Sequence, residues 1–377
     1  MTGPAISDER ESAALGAPAG TVPPAVVRQL STLDRWLPLW IGVAMGVGLG
    51  LGALIPGLES ALSAVAIGGT SLPIAIGLLL MMYPVLARVR YEELGRLRAE
   101  RGLFVSSLVL NWVIGPLLMF ALAWLLLPHD PEYRTGLIVV GLARCIAMVL
   151  IWSELACADR EATAVLVAIN SIFQIVAYSL LGWFYLTVLP GWLGLDTEGF
   201  SVGIWEVART VLIFLGIPLA AGYLTRVIGL RRKGRDWYEG TFLPRIGPIT
   251  LYGLLFTIVL LFALQGHQIT GHPLDVVRIA VPLLIYFALM FAIAFGWGRA
   301  SGYGYPRTAT LALTAASNNF ELAIAVAIGV FGATSGEALA GVVGPLIEVP
   351  VLVGLVYVSL WLRGRWFGPS PEPVGAS

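Results

Sequence analysis

The sequence predicts an all-α membrane protein of ten transmembrane helices, arranged as two inverted repeats of five. Three observations carry this. Of the 377 residues, 58% are hydrophobic and only 12% charged, about half the charge that a soluble chain keeps on its surface. Ten apolar runs of about 20 residues, the length that crosses a bilayer, follow one another along the chain. Positive charge alternates between successive connections, the pattern that orients helices in a membrane.

Residues 1–35 are small, polar and proline-containing. They lack the apolar core of a signal peptide and are expected to form a disordered cytoplasmic tail. The first repeat, 36–188, holds spans near 36–56, 71–88, 104–127, 136–157 and 161–188. An external connection, 189–205, separates it from the second repeat, 206–362, with spans near 206–225, 247–266, 276–298, 308–332 and 339–362. Residues 363–377 read as a second disordered cytoplasmic tail.

The connection "RVRYEELGRLRAER" after span 2 carries five Arg, and "RVIGLRRKGRDWYEGTFLPR" after span 6 carries five Arg and one Lys. The alternate connections hold no basic residue beyond Arg134 and Arg278. Both termini are therefore expected in the cytoplasm, and the chain in the plasma (inner) membrane. Five spans per half, an odd number, turn the second half upside down relative to the first, as in many secondary transporters. A shift of 176 residues supports this: it lays "GLLLMMY" (77–83) on "GLLFTIV" (253–259), "DREA" (159–162) on "SGEA" (335–338), and Cys145 on Glu321.

Several function classes are excluded. Net charge is zero, so no nucleic-acid partner is expected. Cys145 and Cys157 on one helix stand about 18 Å apart in rise, beyond disulfide reach. Without a CxxC motif, and with His129, His267 and His272 all in short polar connections, no structural metal site and no cofactor are expected. No nucleophile has a base at helical spacing, so the chain does not read as an enzyme.

The polar residues within the spans are the candidate site. In span 9, "TATLALTAASNNFELAIAVAIGVFG", Ser317, Asn318 and Asn319 favour caps over helix interiors. Such a break is tolerated in lipid only where it lines a protein cavity. Glu321 follows near mid-depth. Arg144 and Cys145 stand at a similar depth in span 4, Glu348 in span 10 between Pro345 and Pro350. Asn170 and Gln174 of span 5 extend the polar lining, with Asn111 of span 3 a weaker candidate.

A membrane cysteine more often packs than binds, the reading given to Cys157. Intramembrane Arg and Glu, by contrast, are costly and functional by default, the bland alternative being a structural pair of Arg144 with Glu321 or Glu348. A sulfur beside an exchangeable carboxylate suits a carrier of a soft, thiophilic solute, released by protonation.

The runs "GLARCIAMVLIWSELACADREATAVLVAINSIFQIVAYSLLGWFY", "ASNNFELAIAVAIGVFG" and "GPLIEVPVLVGLV" resemble the arsenical-resistance arsenite permeases of the bile acid/arsenite/riboflavin transporter superfamily, over about residues 36–362. The resemblance implies that helices 4 and 9 unwind where they cross near the bilayer midplane. It also implies efflux of arsenite, often antimonite too, in exchange for protons. It puts the family's essential cysteine on Cys145, the arginine before it on Arg144, the asparagine pair on Asn318 and Asn319, and the helix-9 glutamate on Glu321. On this reading the metalloid binds at Cys145 with Arg144, Asn318 and Asn319, Glu321 and Glu348 couple protons, and Asn170, Gln174 and Ser317 support them. The alternative is a sodium-coupled carrier of a small organic anion on the same fold, with Arg144 at the anion and Cys145 incidental.

Overall fold

The computed structural model describes residues 36–55, 57–64, 66–67, 70–90, 101–146, 148–195, 203–271 and 273–367. The expected tail 1–35, most of 363–377 and part of 189–205 lie outside them, as does His272.

The described chain is helical: α1 (Leu37–Leu54), a short α2 (Leu58–Ala64), α3 (Leu72–Ala87), α4 (Arg101–Leu126), α5 (Pro131–Leu142), α6 (Met148–Leu155), α7 (Arg160–Trp192), α8 (Ile204–Lys233), α9 (Leu243–Gly271), α10 (Pro273–Ala300), α11 (Tyr305–Ala316), α12 (Phe320–Phe331) and α13 (Gly336–Phe367). A two-stranded antiparallel pair, β1 (Ala66–Ile67) and β2 (Thr70–Ser71), stands between α2 and α3. It is a small departure from the all-helical expectation. Six helices (α4, α7, α8, α9, α10 and α13) are long and apolar enough to cross a membrane, and α1, α3 and α12 are shorter apolar helices. The protein is therefore a multi-pass membrane protein. Exposed Trp36, Trp192, Trp205 and Trp366 stand near helix ends, where amphipathic rings favour the lipid–water boundary.

The helices follow the ten apolar runs, with two interruptions. The run expected at 136–157 is two helices, α5 and α6, and that at 308–332 is α11 and α12. Elsewhere the helices run past the expected limits: α7 to Trp192, α9 to Gly271, and α13 through Arg363–Phe367. His267 thus has its backbone within α9 rather than in a connection.

Proline shapes several of these helices. Wide π turns occupy Leu110–Ile114, Phe184–Val188, Leu212–Gly216 and Tyr238–Phe242. Each ends two residues before a proline: Pro116, Pro190, Pro218 and Pro244. A proline has no N–H for the carbonyl four residues back and crowds it; that carbonyl falls inside the π turn each time, where the widened backbone relieves the clash.

The helices form two groups that do not follow the sequence halves. α9 packs along α1 and α3, and the second part of α8 packs on α3. The other group joins α4, α5, α7, α10, α11, α12 and α13. The interruptions belong to this second group and face the first.

Candidate functional site

The interruptions meet. α5 ends at Leu142 with Ala143 extended, and α11 ends at Ala316 with Ser317 extended. Arg144 and Asn318 pair there as an isolated antiparallel bridge. The Cys145 N–H donates to the Ser317 carbonyl (3.4 Å) and the Asn319 N–H to the Ala143 carbonyl (3.1 Å). Two chains without helical hydrogen bonds thus satisfy each other, as buried backbone must.

The pairing is symmetric about the bridge. The Arg144 N–H donates to Oε1 of Gln174 (2.8 Å), and the Asn318 N–H to Oε1 of Glu348 (3.2 Å), each 30 residues downstream. Next along the chain, Asp159 caps α7 by accepting from the Ala162 N–H, and Ser335 caps α13 by accepting from Ala338. The caps are related by the 176-residue shift read in the sequence. The bridge is related by 174, so Cys145 corresponds there to Asn319 and not to Glu321. That revises the expected superposition, because the stretch from bridge to cap is two residues longer in the second half.

In extended backbone, neighbouring side chains leave on opposite faces, and this separates Arg144 from Cys145. The Cys145 thiol, 4% exposed, lies on the face opposite the guanidinium, three residues before α6 begins at Met148. The Arg144 guanidinium, fully buried, turns away toward α4 and α10. It donates to the Tyr286 hydroxyl (2.9 Å), the Ala315 carbonyl (3.4 Å) and the Gly141 carbonyl. Among the described residues it has no carboxylate partner, so the structural pair with Glu321 or Glu348 is not formed.

Between the two helix groups lies a cavity of about 330 Å³. Glu321 and Glu348 stand on its wall with Met148, Ile151, Phe320, Arg88 and apolar residues of α1, α3 and α9. A second cavity of about 520 Å³, lined by Arg90, Glu154, Arg160, Glu161 and Glu239 among others, shares Arg88 and Ile151 with it. The two cavities thus adjoin at Arg88 and Ile151, with the charged residues in one and the two carboxylates in the other. At the other end the crevice beside Trp124 and Arg134 holds only about 20 Å³. Hydrogen bonds from Tyr133 to Asp275 (2.7 Å) and from the Gly336 N–H to Glu132 (2.9 Å) tie the helix ends together there.

The expected residues thus fall in three layers. Glu321 and Glu348 face the cavity. Cys145, Ser317, Asn318 and Asn319 form the crossing behind it, Asn318 donating to the Val140 carbonyl (2.7 Å) and Asn319 capping α12 through the Leu322 N–H (3.0 Å). Arg144, Gln174 and Asn170 lie beyond the crossing, where Asn170 accepts from Trp112 (3.2 Å). Asn111 donates to Ser107 within α4. Cys157 is not packed: it is exposed, with a left-handed φ of 53° in the turn after α6. Sequence reasoning missed Tyr286, an unmarked tyrosine in an apolar run, and Arg88, legible only as one of many loop charges.

Broken helices that meet beside a cavity between two helix groups define a secondary transporter. The sodium bile acid symporter family model matches residues 75–272. An arsenical-resistance protein of Corynebacterium glutamicum is 59% identical over 343 residues, covering 91% of this chain and 93% of that protein. An arsenical-resistance protein of Alkaliphilus metalliredigens is 34% identical over 344 residues, 89% of this chain and 94% of that one. An uncharacterized transporter of Synechocystis is 37% identical over 362 residues, 91% and 92% of the two chains. The chain belongs to the sodium bile acid symporter family and, within it, to the arsenical-resistance arsenite permeases that its sequence resembles.

Proposed function

We propose that the protein exports trivalent arsenic, as arsenite and also antimonite, from the cytoplasm in exchange for protons. The observation that carries this is the bridge that holds buried Cys145 at the start of α6, three residues from Met148, which lines the same cavity as Glu321 and Glu348. Arsenic trihydroxide, neutral near pH 7, enters by the charged vestibule and exchanges one hydroxyl for the Cys145 sulfur, releasing water. The thiol proton leaves with the displaced hydroxyl as that water, so the sulfur–arsenic adduct is neutral.

Of the two carboxylates, Glu348 is committed to the Asn318 N–H, whereas Glu321 is only half-buried on the cavity wall. We assign the exchanged proton to Glu321 and the support of the crossing to Glu348. Asn318 and Asn319 hold the bridge, with Ser317, Asn170 and Gln174 supporting it. Metalloid binding falls to Cys145, and Arg144, expected at the substrate, acts from behind the crossing.

The same reading comprises ten spans in two inverted five-helix repeats, 36–188 and 206–362, with both termini cytoplasmic in the inner membrane and the crossing near the bilayer midplane. The symmetric bridge and the paired caps support it. On this reading the cavity lined by Arg90, Arg160 and Glu239 opens to the cytoplasm, and the state is inward-facing.

One observation favours the sodium-coupled organic-anion carrier: the cavity is larger than arsenic trihydroxide requires and largely apolar. Arsenite accumulation in everted vesicles under an imposed proton gradient separates the two. Uptake that follows the gradient and disappears in Cys145→Ala supports arsenite–proton exchange. Uptake that survives the substitution defeats the sulfur site, and no uptake by the wild type favours the organic anion.

A further inference from the structure

The C-terminal ends of α5 and α11 converge on one buried cation. Each helix has 12 residues, and the C-terminus of such a helix carries roughly half a negative charge. Two ends therefore present about one unit of negative charge, and the Arg144 guanidinium meets it. It donates to the Gly141 carbonyl of α5, to the Ala315 carbonyl of α11, and to the Tyr286 hydroxyl of α10. Two further carbonyls at the end of α5 are taken, Val139 by the Tyr178 hydroxyl (2.7 Å) and Val140 by Asn318. In transporters built on broken helices, such half-helix ends and unwound carbonyls coordinate a coupling sodium ion. Carbonyl and hydroxyl oxygens are a hard donor set, which suits an alkali cation.

We infer that Arg144 is a tethered cation that fills the place between the two half-helix ends where a coupling sodium ion would bind, making the carrier independent of sodium. This rests on the proposed transport function and deepens it by naming what the coupling ion is not. The guanidinium travels with the crossing and cannot dissociate, so it contributes charge balance without a gradient. The ion that moves is left to the carboxylates on the opposite face. Arg144 is in this sense a positioning residue: it sets the crossing that holds Cys145 while its own side chain points away from the cavity.

The test removes the tether and asks for sodium. Purified wild type, Arg144→Lys and Arg144→Ser are heated in sodium chloride and in potassium chloride of equal ionic strength. Wild type and Arg144→Lys are expected to melt at the same temperature in both salts. Arg144→Ser, with the oxygen cage vacated, is expected to gain several degrees in sodium, saturably and not in potassium. A monodisperse Arg144→Ser protein that does not distinguish the two salts overturns the inference, since a merely structural arginine predicts that result. The second measurement is wild-type arsenite uptake in everted vesicles with all sodium replaced by potassium. An unchanged rate is expected, and a several-fold loss overturns the inference even if Arg144→Ser does not fold. Absence of arsenite uptake in either salt instead counts against the transport reading and leaves the melting result to stand on its own.

Discussion

Arg144 and Asn318, 174 residues apart, hold each other's backbone in a two-residue antiparallel bridge between four helix ends. Each passes its own N–H to a side chain on a long helix, Gln174 on α7 and Glu348 on α13. The bridge therefore fixes the position of everything next to it, Cys145 and Asn319 included, without any side chain having to span the crossing.

Cys145 and Cys157 should separate cleanly. Cys145→Ser changes one atom at a buried site and should cost little stability, under about 1 kcal/mol, while arsenite uptake falls at least ten-fold. Cys157 is exposed in the turn after α6 and takes no part in the bridge, so Cys157→Ser should transport as the wild type. Uptake in vesicles, with melting temperatures as the folding control, checks both.

The two glutamates should differ in kind. Glu348→Gln keeps an oxygen for the Asn318 N–H and should fold normally. Glu348→Leu leaves that N–H buried and unpaired, a cost of about 1–3 kcal/mol. Glu321→Gln should melt like the wild type yet lose the response of uptake to an imposed proton gradient. A Glu321→Gln protein that still follows the gradient removes the proton from Glu321.

Asn319 closes α12 by accepting from the Leu322 N–H. Asn319→Ala should destabilise the protein by about 0.5–2 kcal/mol, and Asn319→Asp, which keeps the acceptor, should recover most of it. Thermal melts of the three proteins decide this.

How legible was this arrangement? The helices were, because about 20 apolar residues per span and the alternating arginines are dictated by the bilayer itself. The break in span 9 was visible as well, since Ser317, Asn318 and Asn319 are poor helix formers standing together. The break in span 4 was not visible in the same way. Ala143 and Cys145 are compatible with a helix, and only the pairing with the second break keeps them extended. The direction of Arg144 was hidden for the same reason. On a continuous helix it would lie about 100° from Cys145, whereas extended backbone sends the two to opposite faces. Tyr286, its hydroxyl partner, gave no sign at all in an apolar run.

Gly115 gives the sharpest test of that hidden contact. It lies on α4 against the guanidinium, and a Cβ built there would stand 2.9 Å and 3.1 Å from the two terminal nitrogens of Arg144. Arg144 cannot retreat, because its far side is occupied by the helix ends it bonds. Gly115→Ala should therefore displace the guanidinium or push α4 outward, at a cost of about 1–3 kcal/mol, and arsenite uptake should fall with it. Gly42 and Gly46 on α1 are the controls: a Cβ at either meets no atom within 4 Å. Alanine there should leave uptake unchanged and stability unchanged or slightly raised, since alanine is the better helix former. If Gly115→Ala melts and transports like Gly46→Ala, the guanidinium is free to move, and its contacts with Tyr286, Ala315 and Gly141 do not hold the crossing.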